Sequence, residues 1–252
     1  AGFTGQNQYT VAIGSEAGSS TQGTNAVAIG SQAGYTQQGE KSIAIGLQAG
    51  HHVQASQAVA IGYQAGYTQQ GEKSIAIGLQ AGHHVQASQA VAIGYQAGFT
   101  GQNQFGIAIG SEAGSSTQGT NAVAIGFQAG FTGQDENAVA IGYQAGYIKQ
   151  GQGAIAIGDS AGQTGQGQRA IAIGLNAGEN NQTNDSIGIG VNAGQNNQKG
   201  NAVALGWGAG QNSQEIGAVA IGYQAGFTGQ NQYTVAIGSE AGSSTQGTNA
   251  VA

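Results

Sequence analysis

The chain has 252 residues, 49 of them glycine, with no proline, cysteine or methionine and a formal net charge of −6 from five cationic and eleven acidic side chains. Without cysteine there is no disulfide framework and no thiolate metal site, and cations scattered at Lys41, Lys73, Lys149, Arg169 and Lys199 exclude the clustered basic surface that nucleic acid requires. Apolar runs of about five residues fall far short of the roughly 20 needed to span a bilayer, and the lack of proline and of glycine triplets excludes a collagen-type triple helix.

From the amino-terminal end, the first recurring element is Thr10-Val11-Ala12-Ile13-Gly14. It returns every sixteen residues without insertion or deletion, its glycine falling at 14, 30, 46, 62, 78 and onward to 238. Four places before that glycine stands a small residue such as Ala26, Ser42 or Ala58, with Thr10 and Gly106 as variants. Three places before it is always Val or Ile, two before it Ala except Gly188, and one before it Ile except Leu205. Small and branched residues alternate with period two, which predicts a β-strand, and β-branched side chains favour the pleated surface.

After the glycine come two variable places and then Ala-Gly without exception, as in Ala17-Gly18 and Ala33-Gly34. A second short strand is expected to cross here, its glycines serving positive-φ or tightly packed corners. Eight places after the strand glycine stands an invariant Gln, from Gln6 and Gln22 to Gln246, among neighbours that vary freely and read as an exposed turn. Two structural readings of that Gln stand side by side: an amide ladder running from coil to coil, or capping of backbone groups within its own coil.

A sixteen-residue coil cannot close around its own core, whereas stacked coils bury a continuous one. The predicted fold is therefore all-β, a parallel β-solenoid or flattened β-roll of about fifteen coils, two short strands per coil. At ~4.8 Å per coil it would extend about 75 Å. If Val and Ile point inward, the opposite face is a smooth ladder of Ala, Ser and Gly. If Ala points inward, a Val/Ile stripe lies exposed along the whole array. Either arrangement favours a lateral partner, and a further copy of the chain is the simplest one.

Larger duplications overlie the short one: residues 32–62 and 64–94 are identical, as are 1–28 and 225–252. Residues 1–252 are expected to form a single continuous repeat array, a fragment of a longer one without capping units, open to end-to-end stacking. No signal peptide is visible.

Ala26 to Gly30, Ser42 to Gly46, Ala154 to Gly158 and every equivalent segment resemble the head repeat of trimeric autotransporter adhesins, and are similar to repeats in phage and large-virus fibre proteins. The resemblance covers the entire chain. It implies a left-handed parallel β-roll in which three chains pack side by side, displayed outside the cell, on a cell surface or on a virion. The uniform sixteen-residue spacing departs from those heads, which commonly run slightly shorter, and no neck, coiled-coil stalk or membrane anchor is present in the sequence.

His51-His52 and His83-His84 are the four histidines. Two coils, roughly 10 Å, separate the pairs, too far for one metal with bonds of about 2 Å, and duplicated surface residues are the expected reading. Aromatic and large aliphatic residues gather in two columns, one after the strand glycine (Leu47, Tyr63, Leu79, Tyr95, Phe127, Tyr143, Trp207, Tyr223) and one after the Ala-Gly pair (Tyr35, Tyr67, Phe99, Phe131, Tyr147, Phe227). They fit packing at a roll edge or subunit interface better than stacking on a sugar or a receptor, and a surface or receptor ligand stays unidentified. Asp135-Glu136 is the only adjacent acidic pair, and Asn181 and Asn184 begin N-glycosylation triplets. No Gly-Lys-Ser/Thr phosphate loop occurs.

The sequence thus assigns no catalytic residue, cofactor or metal. The leading expectation is a structural or adhesive extracellular fibre segment that is not an enzyme, self-associating and not inserted in a membrane. The alternative is an ice-binding or ice-nucleating repeat protein, which shares the sixteen-residue period, although Thr is sporadic here at Thr36, Thr68 and Thr100. Left-handed β-helix acyltransferases share the solenoid form, but their six-residue repeat does not divide sixteen.

Overall fold

The computed structural model describes residue 2 and residues 4–252, and the chain separates into two compact units, Ala1–Ala124 and Ile125–Ala252. Within each unit the sixteen-residue period is one coil of a parallel β-solenoid, as the alternation predicts. In the first unit the segments Val11–Ile13, Val27–Ile29, Ile43–Ile45, Val59–Ile61, Ile75–Ile77, Val91–Ile93 and Ile107–Ile109 form one parallel sheet. Residues sixteen apart are partners in it, Val59 with Ile75, Ala60 with Ala76 and Ile61 with Ile77. In the second unit the equivalent segments, from Val139–Ile141 to Val235–Ile237, pair in the same register. No α-helix occurs among the described residues.

The second strand is not where the sequence placed it. The Ala-Gly segment is a turn, and the strand lies further on and ends at the invariant Gln, as in Gln69–Gln70, Val85–Gln86 and Thr100–Gln102 of the first unit and Thr164–Gln166 of the second. The turn forms because its second and fourth residues are left-handed: Gln64 has φ 53° and Gly66 φ 55°. Two such residues reverse the chain too tightly for a strand to cross. A Cβ at Gly66 would also sit 2.8 Å from Gln70 Oε1, so the invariant Gly and the invariant Gln occupy one shared space.

Alanine, not valine or isoleucine, fills the interior. Ala58, Ala60 and Ala65 are fully buried, as are the equivalent alanines of the inner coils in both units, while Val59 and Ile61 between them are partly exposed. The largest fully buried side chains are the glutamines, which overturns the exposed-turn reading of that column. A coil this thin holds one amide and a ring of methyl groups, and a branched side chain from either strand would overfill it. Buried Ser42 keeps its hydroxyl satisfied by donating to Gly39 O at 2.7 Å.

Both readings of the Gln column hold, to different extents. Gln54 Nε2 donates across the coil to Ile43 O at 2.7 Å and to Ala58 O at 3.2 Å. The same link to the opposite strand recurs at Gln38, Gln70, Gln86, Gln102 and Gln118, so it joins the two sheets of the first unit in successive coils. Amide-to-amide bonds run from Gln70 to Gln86 (3.4 Å) and from Gln86 to Gln102 (3.1 Å). Gln38, Gln54 and Gln70 instead have Oε1 atoms that are buried without a partner. The backbone link is the constant feature, and the ladder is an addition to it.

Candidate interaction surface

The inward alanines turn the alternate side chains of the first strand outward. Each coil presents Val/Ile, then Ile, then the residue after the strand glycine, three places on one face. In four successive coils of the first unit that third residue is Leu47, Tyr63, Leu79 and Tyr95, between 43 and 46% exposed. In the second unit it includes Phe127, Tyr143, Leu175, Trp207 and Tyr223, all exposed. Of the two faces open at the outset, the structure selects the exposed apolar stripe.

Rings in these columns stack on the coil above or below. Phe127 and Tyr143 lie 5.3 Å apart at 14°, Trp207 and Tyr223 5.1 Å apart at 15°, and Phe131 and Tyr147 5.1 Å apart at 16°. Parallel stacking along the array covers ring faces and leaves edges to solvent. A sugar stacks on a ring face, so this geometry supports the packing reading.

The column after the Ala-Gly pair holds a feature the sequence reading missed. His51 stands between Tyr35 and Tyr67, at 4.9 Å from each, and His83 between Tyr67 and Phe99, at 5.0 Å from each. Five rings from Tyr35 to Phe99 form one stack in the first unit. The duplicated-surface reading is therefore half wrong. His51 and His83 are buried, and only His52 and His84 are exposed. The signal was present, because His51 and His83 fall sixteen residues from the aromatic positions on either side.

Burial, and then the adjacent His52, lower the His51 pKa, with Glu16 acting in the opposite sense. Burial and then His84 lower that of His83. The two buried imidazoles lie either side of Tyr67, too far apart to share a metal, and among the described residues no group of three or more His, Asp or Glu is placed to hold one.

A second polar ladder also escaped the sequence reading. Gln96, Gln80, Gln64 and Gln48 each donate through Nε2 to the Oε1 sixteen residues back, at 2.9 to 3.1 Å, and Gln32 ends the chain on Glu16 Oε2 at 2.7 Å. Charges pair locally: Lys41 with Glu40 (2.8 Å), Lys73 with Glu72 (3.0 Å), and Arg169 through two nitrogens with Asp185 (2.6 and 2.8 Å). The Arg169 bonds hold the exposed Asp185 carboxyl below its usual range.

The threonines do not form an outward ladder. Thr36 Oγ1 donates to His52 O, Thr68 Oγ1 to His84 O, and Thr100 Oγ1 to Ser115 O at 3.1 Å. Hydroxyls engaged with the next coil's backbone are not presented to ice. At the glycosylation triplets, Asn184 Oδ1 accepts the Gln168 N–H at 2.9 Å, and Ser186 is buried, donating to Thr183 O at 2.6 Å. Glu136 accepts from Gln152 of the next coil at 3.5 Å.

A strand with inward alanine and outward Val/Ile, a glycine corner, an Ala-Gly turn and a buried Gln recurs in each unit. Two stretches match the YadA head domain repeat. They are residues 6–33 and 104–129, and each holds these parts in order: Val11–Ile13, Gly14, Ala17-Gly18 and Gln22 in the first, Ile107–Ile109, Gly110, Ala113-Gly114 and Gln118 in the second. The YadA head repeat is a repeat of trimeric autotransporter adhesin heads, so the resemblance read from Ala26 to Gly30 and its equivalents is borne out. No curated protein matches the chain. Among the described residues no helix is long and apolar enough to cross a membrane.

Proposed function

We propose that the chain is a segment of an adhesin-type fibre displayed at a cell surface, a scaffold without catalytic chemistry that associates side by side with further copies of itself. The observation that carries this reading is the outward Val/Ile face. In each unit seven strands at ~4.8 Å spacing extend it over roughly 30 Å, flanked by the exposed Leu and aromatic column. Contiguous apolar surface of this kind marks an interaction site. A partner that meets these ridges coil by coil must repeat every ~4.8 Å itself, and a second copy does so. Three copies is the number that the likeness to YadA heads favours.

The test is the mass in solution of the intact chain and of a variant carrying Ile77→Asp and Ile93→Asp. Both side chains face outward, so the variant should keep its β-sheet circular dichroism. Symmetric copies would bring like charges together at the interface, which costs several kcal/mol. Light scattering should report an oligomer for the unsubstituted chain and a single chain of 24.8 kDa for the variant. A single-chain mass for the unsubstituted protein sinks the proposal.

A further inference from the structure

We propose that the ring stack Tyr35–His51–Tyr67–His83–Phe99 is an acid-sensitive fastening, which holds the coils of the first unit together at neutral pH and loosens when His51 and His83 are protonated. The stack is near-parallel throughout, with angles of 16°, 19°, 16° and 23° between successive rings. His51 is 7% exposed and His83 9%, and the Nδ1 atom of each is buried with no hydrogen-bond partner. In the neutral ring with its proton on Nε2, that nitrogen is a bare lone pair, which the site tolerates. In the imidazolium it carries an N–H and shares a full charge, and the site supplies no acceptor.

The charged and titratable surroundings decide the direction. A cation between two aromatic faces gains some attraction. Against it stand burial and a second imidazole at 4.5 Å, His52 beside His51 and His84 beside His83. Glu16 is the one acid that favours the charged form of His51, and no acid acts on His83. Glu40 and Glu72 do not act on either ring and are paired with Lys41 and Lys73. The unfavourable contributions prevail at both rings, and His83 lacks even the partial compensation that His51 has.

The linkage follows in sign. A native pKa below the ordinary value of 6.5 means that the native state binds fewer protons than the unfolded chain. The contribution is then complete above about pH 6.5 and is lost as the pH falls from there through the lowered native value. The backbone bonds of the same coils, such as His52 N–H to Tyr67 O at 3.0 Å, carry no titrating group, so the loss is local to the stack.

Thermal unfolding of the full chain between pH 7.5 and 5.0 tests this, together with carbon-13 NMR titration of labelled histidine. The midpoint should fall by on the order of 2–4 °C over that interval. It should stay level in His51→Phe/His83→Phe, which retains five stacked rings without the titration, and still fall in His52→Asn/His84→Asn. The NMR should show the two buried imidazoles, His51 and His83, titrating below the ordinary range. Equal acid sensitivity in the phenylalanine variant would overturn the proposal. So would titration of His51 and His83 at 6.5 or above, a measurement that needs no variant to fold.

Discussion

Replacing Gly78 with alanine is expected to cost more than about 3 kcal/mol and to unfold the first unit at temperatures the native chain withstands. Gly78 has φ 132°, a region open in practice to glycine alone. An added Cβ would lie 2.5 Å from Gly94 O and 2.8 Å from Gly94 C, both backbone atoms of the next coil. Those atoms cannot withdraw, because Gly78 N–H to Ile61 O and Gly94 N–H to Ile77 O, each 2.8 Å, fix the coil spacing. Gly101→Ala supplies the contrast. Its φ is 66°, the nearest atom to an added Cβ is 3.7 Å away, and the equivalent place one coil on is Thr117 at φ 49°. That substitution should cost about 1 kcal/mol. Urea unfolding of the two variants gives the comparison, and equal destabilisation would show that corner glycines are not special.

The second large effect is expected at the buried amide. Gln86→Leu preserves volume and removes a polar group from the interior, a change that stabilises many cores. Here it should destabilise by about 2–4 kcal/mol. Gln86 Nε2 donates to Ile75 O (2.8 Å), Ala90 O (3.2 Å) and Gln102 Oε1 (3.1 Å), and Gln86 Oε1 accepts from Gln70 at 3.4 Å. Ala90 O keeps the Ile75 N–H at 2.9 Å, but Gln102 Oε1 loses the amide that donates to it and stays buried. A shift of the urea midpoint to higher concentration would show that the backbone needs nothing from the glutamine column.

These two positions also show where sequence reading succeeds and where it stops. The first strand was legible from Val11-Ala12-Ile13 onward because its alternation has period two and its register is set by a spacing that never slips. Which side chains face inward was not legible, since alternation alone is symmetric between the two faces. What decides it is the Gln, whose amide takes the space that Val or Ile would need. That residue was read as part of an exposed turn because its neighbours vary freely, yet glutamine can be buried when its amide is paired. Its satisfaction depends on Ile43 O and Ala58 O converging on Gln54, a three-dimensional fact with no local sequence sign. The misplaced second strand has a related cause, as Ala-Gly looks extended until Gln64 before it is seen to be left-handed. The histidine stack differs from these: its column arithmetic was readable, and chemical class hid it, because imidazole was set apart from Tyr35, Tyr67 and Phe99.

The identity of residues 32–62 and 64–94 gains meaning from the pairing of each coil with its immediate neighbours. Loss of 32 residues between the duplicates, by recombination in the coding DNA, would bring the place of Gln38 next to that of Gln86 and still set one buried imidazole between Tyr35 and Phe99. Every contact at the new junction would already exist elsewhere in the protein. Size in such a chain can therefore change between generations in whole steps, with no intermediate that must refold around a damaged interior.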